Sequence, residues 1–214
     1  VGIGVTGFVG LDHQDGGGGK MIEVLSYLSL AMVMVTTLEL LIGRSTRFMF
    51  IFLIVQYVAV FLLVLQYWSI GLAAIKLIAG LIAGTVLLSS QPNPEKEENE
   101  LVVNSESLFR LLVSILIGAL VFIFVPSVQK VMAISNSVLW SGFILIGMGL
   151  LQLGMTVELP RVIVGLLTVL SGFEVIYAAV ENSVLVAGLL AVVTLGLALV
   201  GAYLIINKPE EAEE

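Results

Sequence analysis

The sequence predicts an all-α integral membrane protein of seven transmembrane helices. Three observations carry that reading. Of 214 residues, 59% are hydrophobic and only 12% charged, where soluble domains hold about 45–50% and about 25%. The mean hydropathy is +1.13. The apolar residues also gather into runs that match the roughly 20 residues needed to cross a hydrocarbon core about 30 Å thick. Disorder, a collagen-like fibre and a water-soluble enzyme are excluded by this composition. Barrel strands alternate polar and apolar residues, whereas these runs are apolar on all sides, so the spans are helices.

Residues 1–20 differ in character from the rest of the chain. They contain the aspartates Asp12 and Asp15 and the histidine His13, but no positive region leading into a long apolar run, as a signal peptide has. The run Gly16-Gly17-Gly18-Gly19-Lys20 ahead of Met21 has the codons of a purine-rich ribosome-binding site. The segment is therefore expected to be an untranslated leader, with Met21 the true start, or else a flexible tail with a glycine linker.

The seven spans are expected at 21–43, 47–67, 69–89, 107–125, 136–155, 160–180 and 183–206. Charge, proline or a polar cluster bounds each: Gly43 to Arg47, Tyr67-Trp68-Ser69, Ser89 to Ser107, Pro126 to Asn136, Glu158 to Arg161, and Glu181-Asn182-Ser183. Pro92, Pro94, Pro126, Pro160 and Pro209 fall outside the spans or at their edges, which predicts helices without proline kinks. Gly80 and Gly84 form a GxxxG pair in the third span, and Gly142, Gly147, Gly149 and Gly154 line the fifth. Such residues let helix backbones approach closely in lipid.

Lys and Arg near helix ends set orientation. Arg44, Arg47, Lys96, Arg110, Arg161 and Lys208 fall on one side, against Lys130 and Lys20 on the other. The first side is read as cytoplasmic, so the N-terminus lies outside and the C-terminus inside a prokaryotic cytoplasmic membrane. The acidic loop 90–106 and the acidic tail 207–214 are then cytoplasmic and solvated. At an offset of 114 residues, Arg47 falls on Arg161 and Ser69 on Ser183. This suggests a 3+1+3 arrangement: a three-helix half at 21–89, a linker helix at 107–126 and a second half at 136–206. Parallel repeats of this kind occur among transporters.

With no cysteine and one histidine, no disulfide, thiolate metal site or iron–sulfur cluster is available, and a haem or histidine-based metal centre is not expected. No cofactor is expected. Chemistry falls to the few charges inside the spans, each costing about 3 kcal/mol or more near the midplane. Arg110 can snorkel to the cytoplasmic face as an anchor, and Glu181 is expected to be solvated. Glu39, one turn before Gly43, is either an end-of-helix acid beside Arg44 and Arg47 or part of a proton route. Lys76 lies seven residues after Ser69 and Glu174 seven before Glu181, so at about 1.5 Å per residue both sit at matching depth below the outer boundary. Opposite charges at one depth, on corresponding spans, suggest stations of a proton relay or a buried pair that fixes packing.

The pattern Arg47, Trp68-Ser69 and Lys76, together with Arg161-Val162-Ile163-Val164-Gly165 and Gly172, resembles hydrogenase-4 component E. The last three helices also resemble subunit K of the respiratory NADH dehydrogenase. The resemblance covers 21–206 in architecture. It implies a non-catalytic membrane-arm subunit, beside antiporter-like and other membrane subunits, that helps link redox chemistry to proton movement. Lys76 matches the family's third-helix lysine. The sixth-helix acid of that family, with Asn-Gly after it, is replaced here by Leu170, and Glu174 one turn later on the same face can substitute for it. The acid of its last helix has no counterpart, since Val184 to Ile206 carries no charge.

Two other classes compete. A stand-alone small-solute transporter of the SWEET type would use helix-interior prolines and midplane polar groups. Here the latter are few: Gln56, Thr85, Ser114, Thr168 and Thr194. A membrane scaffold without transport is the other. A lone membrane enzyme lacks a His, Cys or clustered-carboxylate constellation.

Overall fold

The computed structural model describes residues 18–43, 45–91, 105–132 and 134–207. Arg44, the acidic stretch at 95–100, Lys96, Lys208 and residues 1–17, with the expectations that fall on them, lie outside the described residues. Among the described residues the chain forms seven α-helices: α1 Gly18–Ile42, α2 Thr46–Val64, α3 Ile70–Ser89, α4 Ser105–Gln129, α5 Asn136–Met155, α6 Leu159–Val180 and α7 Val184–Ile206. All seven contain a window long and apolar enough to cross a membrane. No strand occurs among the described residues. The chain is an all-α membrane protein.

Helix limits follow the expected punctuation with three differences, the second helix closing at Val64 rather than at 67. The first helix begins at Gly18, slightly ahead of Met21. The fourth continues through Pro126 to Gln129, whereas the sequence pattern closes its span at that proline. A proline removes one backbone bond and clashes with the preceding turn; so near the helix end, only one short turn lies beyond it. Pro160, by contrast, stands in the first turn of α6, where a missing N–H costs nothing.

Helices α2 and α6 run in the same direction. Near their starts, the Arg161 guanidinium donates to the Gly43 carbonyl at 3.0 Å. Near their ends, the Trp68 indole N–H donates to the Glu181 carbonyl at 3.1 Å. Helix α3 returns from the Trp68 end beside α7, which returns from the Glu181 end. Helix α1 packs on α5, α2 on α6 and α3 on α7.

The most extensive contact is between α5 and α6, and its glycines explain the closeness. A Cβ on Gly172 would lie 2.7 Å from the Gly142 carbonyl oxygen, and one on Gly149 would lie 2.9 Å from that of Gly165. Two backbones this near tolerate only hydrogen on the facing Cα. Helix α4 is the peripheral one. It leans on α5 through Phe122 against Trp140 and Phe124 against Phe143, while Leu112, Ile115, Leu116 and Ile123 face outward. In a bilayer that outward apolar surface meets lipid.

Candidate functional site

The seam between the two helical pairs α2–α3 and α6–α7 holds a cluster of buried polar side chains. Lys76 of α3 and Glu174 of α6 form an ion pair there; the two residues are 4% and 2% exposed. The Lys76 ammonium also donates to the Thr194 hydroxyl of α7 at 3.0 Å, and lies 5.1 Å from the centroid of the Tyr57 ring of α2. Thr194 directs its own proton to the Leu190 carbonyl at 2.9 Å, so its oxygen is free to accept from the ammonium. Four helices thus hold one cation.

Local sequence explains how these groups meet. Thr168, Ser171 and Glu174 recur at intervals of three on α6, which keeps them near one face at about 4.5 Å rise per step. All three are buried. On α2, Gln56 and Tyr57 are both buried, and the Gln56 amide donates to Thr168 Oγ1 at 3.4 Å. The Tyr57 hydroxyl lies beside Ser171 and Thr194 without closing a hydrogen bond to either. Its ring occupies the space left by Gly80, whose missing Cβ would overlap Tyr57 Cγ. Gly80 lies one turn after Lys76, so one glycine of the GxxxG packing pair also admits the ring that shields the lysine.

Toward the Trp68 end, the cluster is closed mainly by apolar side chains, with the Ser137 and Ser141 hydroxyls of α5 also buried there. Val64, Ala73, Val175, Ala178, Ala187 and Leu190 are all buried at that level. Glu174 is six residues from the end of α6, about 9 Å along the axis, so the closure is short.

The structure therefore brings together two of the three candidate residues and leaves Glu39 apart. Glu39 is exposed on the last turn of α1, near the Arg161 end and well away from the ion pair. Its neighbour Arg44 lies outside the described residues. Arg110 turns to the same region and donates to the Leu41 carbonyl at 3.1 Å, satisfying a carbonyl that the end of α1 leaves open. Glu181 is exposed.

Gln56, Thr168 and Thr194, which in the sequence are no more than scarce midplane polar groups, prove to be neighbours of the pair. Tyr57 and Ser171 join them without having stood out in the sequence at all. The three-residue spacing of Thr168, Ser171 and Glu174 is the one signal in the sequence that points to Ser171, and none points to Tyr57. Among the described residues no three His, Cys, Asp or Glu side chains gather as metal ligands would.

An ammonium and a carboxylate in hydrocarbon must either neutralise each other or exchange a proton. The surrounding hydroxyls and amide can both donate and accept, so the cluster can support proton transfer as well as hold the halves together. Comparison of the chain with protein-family models, with curated proteins and with solved structures finds no match.

Proposed function

We propose that this chain is a non-catalytic membrane-arm subunit of a proton-translocating hydrogenase or NADH-dehydrogenase-like complex, helping to couple redox chemistry to proton movement. It would sit in a prokaryotic cytoplasmic membrane, beside antiporter-like subunits, with the N-terminus outside. The observation that carries the reading is the buried Lys76–Glu174 pair, held by residues from four helices. Ionisable groups deep in a membrane bundle are expensive, and a functional role is the default hypothesis for them. In this scheme a proton arriving at Glu174 releases its hold on Lys76, and the lysine then passes on its own proton. The contacts of α1 with α5, α2 with α6 and α3 with α7 favour the 3+1+3 layout, with α4 as the linker.

The test is a gentle-detergent pull-down of the tagged chain, with mass spectrometry of the co-purifying proteins. Large antiporter-like membrane subunits are the expected partners. Recovery of the chain alone, as monomer or homo-oligomer, would sink the membrane-arm assignment and turn attention to solute uptake.

A further inference from the structure

The α2–α6 seam contains buried polar atoms without a well-formed hydrogen bond: Glu174 Oε1, Gln56 Oε1 and the Tyr57 hydroxyl, which approaches Ser171 and Thr194 without closing a bond to either. Their residues are 2%, 1% and 1% exposed. Unpaired polar atoms at membrane depth are costly, because hydrocarbon offers no substitute partner. They also lie in order. Glu174 and Ser171 are one turn apart, Ser171 faces the Tyr57 hydroxyl, and Gln56 next to Tyr57 bonds Thr168 one turn further on.

The two directions away from the ion pair differ. Toward the Trp68 end the closing side chains of α2, α3 and α6, Val64, Ala73, Val175 and Ala178 among them, are apolar, and the buried α5 hydroxyls at that end are already taken up, Ser141 by the Ser137 carbonyl at 2.8 Å and Ser137 by Ser135 at 2.9 Å. Toward the Arg161 end the polar groups continue as far as Gln56 and Thr168. Beyond them Leu53, Val164 and Leu167, all 0% exposed, close the seam.

We infer that internal water occupies this stretch, bridging Glu174 Oε1, the Tyr57 hydroxyl and Gln56 Oε1, and that it hydrates the ion pair from the Arg161 side only. Buried water takes such places where two to four polar partners converge. The water chain ends at Gln56–Thr168, so the Leu53–Val164–Leu167 layer is the barrier between it and the helix starts. Tyr57 is a positioning residue in this arrangement: its ring shields Lys76 while its hydroxyl orders water beside Glu174. The inference rests on the relay reading and deepens it by giving the relay its direction.

X-ray radiolytic labelling of the full chain in lipid nanodiscs, in ¹⁸O-enriched water, tests it directly. Hydroxyl radicals born from bound water mark the nearest side chain even when bulk solvent cannot reach it. Tyr57 is expected to take up ¹⁸O several-fold faster than Phe50, which is equally buried among apolar groups. Equal rates would overturn the inference. In Gln56→Leu, whose substitution leaves the ion pair in place, Tyr57 labelling should fall several-fold; an unchanged rate would remove Gln56 from the water's partners and overturn the bridging proposed. A hydrated Tyr57 in a chain that captures no partners upholds this inference and sinks only the assembly proposal. A dry Tyr57 in a chain that captures them does the reverse.

Discussion

Arg161 and Gly43 join the beginnings of the two parallel helices α2 and α6: the guanidinium at the start of α6 donates to the carbonyl just before α2, at 3.0 Å. The same side chain bonds the Glu158 carboxylate at 2.7 Å. The two contacts are unequal. Gly43 O is an end-of-helix carbonyl with few other partners, whereas Glu158 is 67% exposed and its charge is screened by water.

Arg161→Ala should therefore destabilise the chain by about 1.5–3 kcal/mol, the range for a lost hydrogen bond to a charged group. Glu158→Gln should cost no more than about 0.5 kcal/mol, as exposed ion pairs do. Unfolding in mild detergent, monitored by tryptophan fluorescence, measures both. Equal losses would mean that the Gly43 contact is not what Arg161 contributes.

At the α5–α6 crossing, Gly172→Ala is expected to destabilise by about 1–3 kcal/mol, because the methyl group would overlap backbone that cannot move independently. Gly196 in α7 provides the control, since a Cβ there meets nothing within 4 Å. Gly196→Ala should be neutral or stabilise by about 0.5–1 kcal/mol through helix propensity alone. Comparing the two melting temperatures decides the point. Similar effects of both substitutions would show that close approach is not what the glycine at 172 serves.

Gly80→Ala probes the site rather than the scaffold. The added methyl group overlaps the Tyr57 ring and must push it off Lys76. Tyr57→Phe keeps the ring and removes only the hydroxyl. If the ring's place over the ammonium is what matters, Gly80→Ala should lower stability by about 0.5–2 kcal/mol, the scale of a partly desolvated cation–π contact, with Tyr57→Phe causing a smaller loss. The reverse order in the same detergent melts would assign the stabilisation to the hydroxyl.

How much of this is legible in the sequence depends on what each feature rests on. The spans are legible because length and hydropathy answer to bilayer thickness, which is external to the fold. The matched depth of Lys76 and Glu174 comes from counting residues inward from Ser69 and Glu181, and the structure does pair them. Tyr57 is not legible, since a tyrosine within an apolar run reads as core until the helices around it are placed. Ser171 is marked only by its three-residue spacing from Glu174, because one hydroxyl can always bond its own helix, and this one does bond the Leu167 carbonyl. The face Glu39 takes is not legible, because depth along a helix does not say which side a residue occupies; it is exposed. Pro126 reads as a stop, but the backbone after it needs only one more turn of helix.

The ion pair itself gives the sharpest prediction, because stability and coupling should separate. Lys76→Met leaves Glu174 buried without a counter-ion, and should cost about 3–5 kcal/mol, the usual penalty for removing one partner of a buried pair. Glu174→Leu alone should cost about as much, by stranding the ammonium. The double variant Lys76→Met with Glu174→Leu removes both charges and keeps comparable volume, so stability should return close to that of the parent, as buried pairs replaced by apolar groups often show. Melts of the four proteins in one detergent complete the cycle. If the chain serves the proton-translocating complex proposed above, proton movement measured in vesicles should be lost in all three variants, including the stable double variant. If the double variant were stable and still coupled, the pair would serve only to hold α3 against α6, and the proposed relay would be overturned.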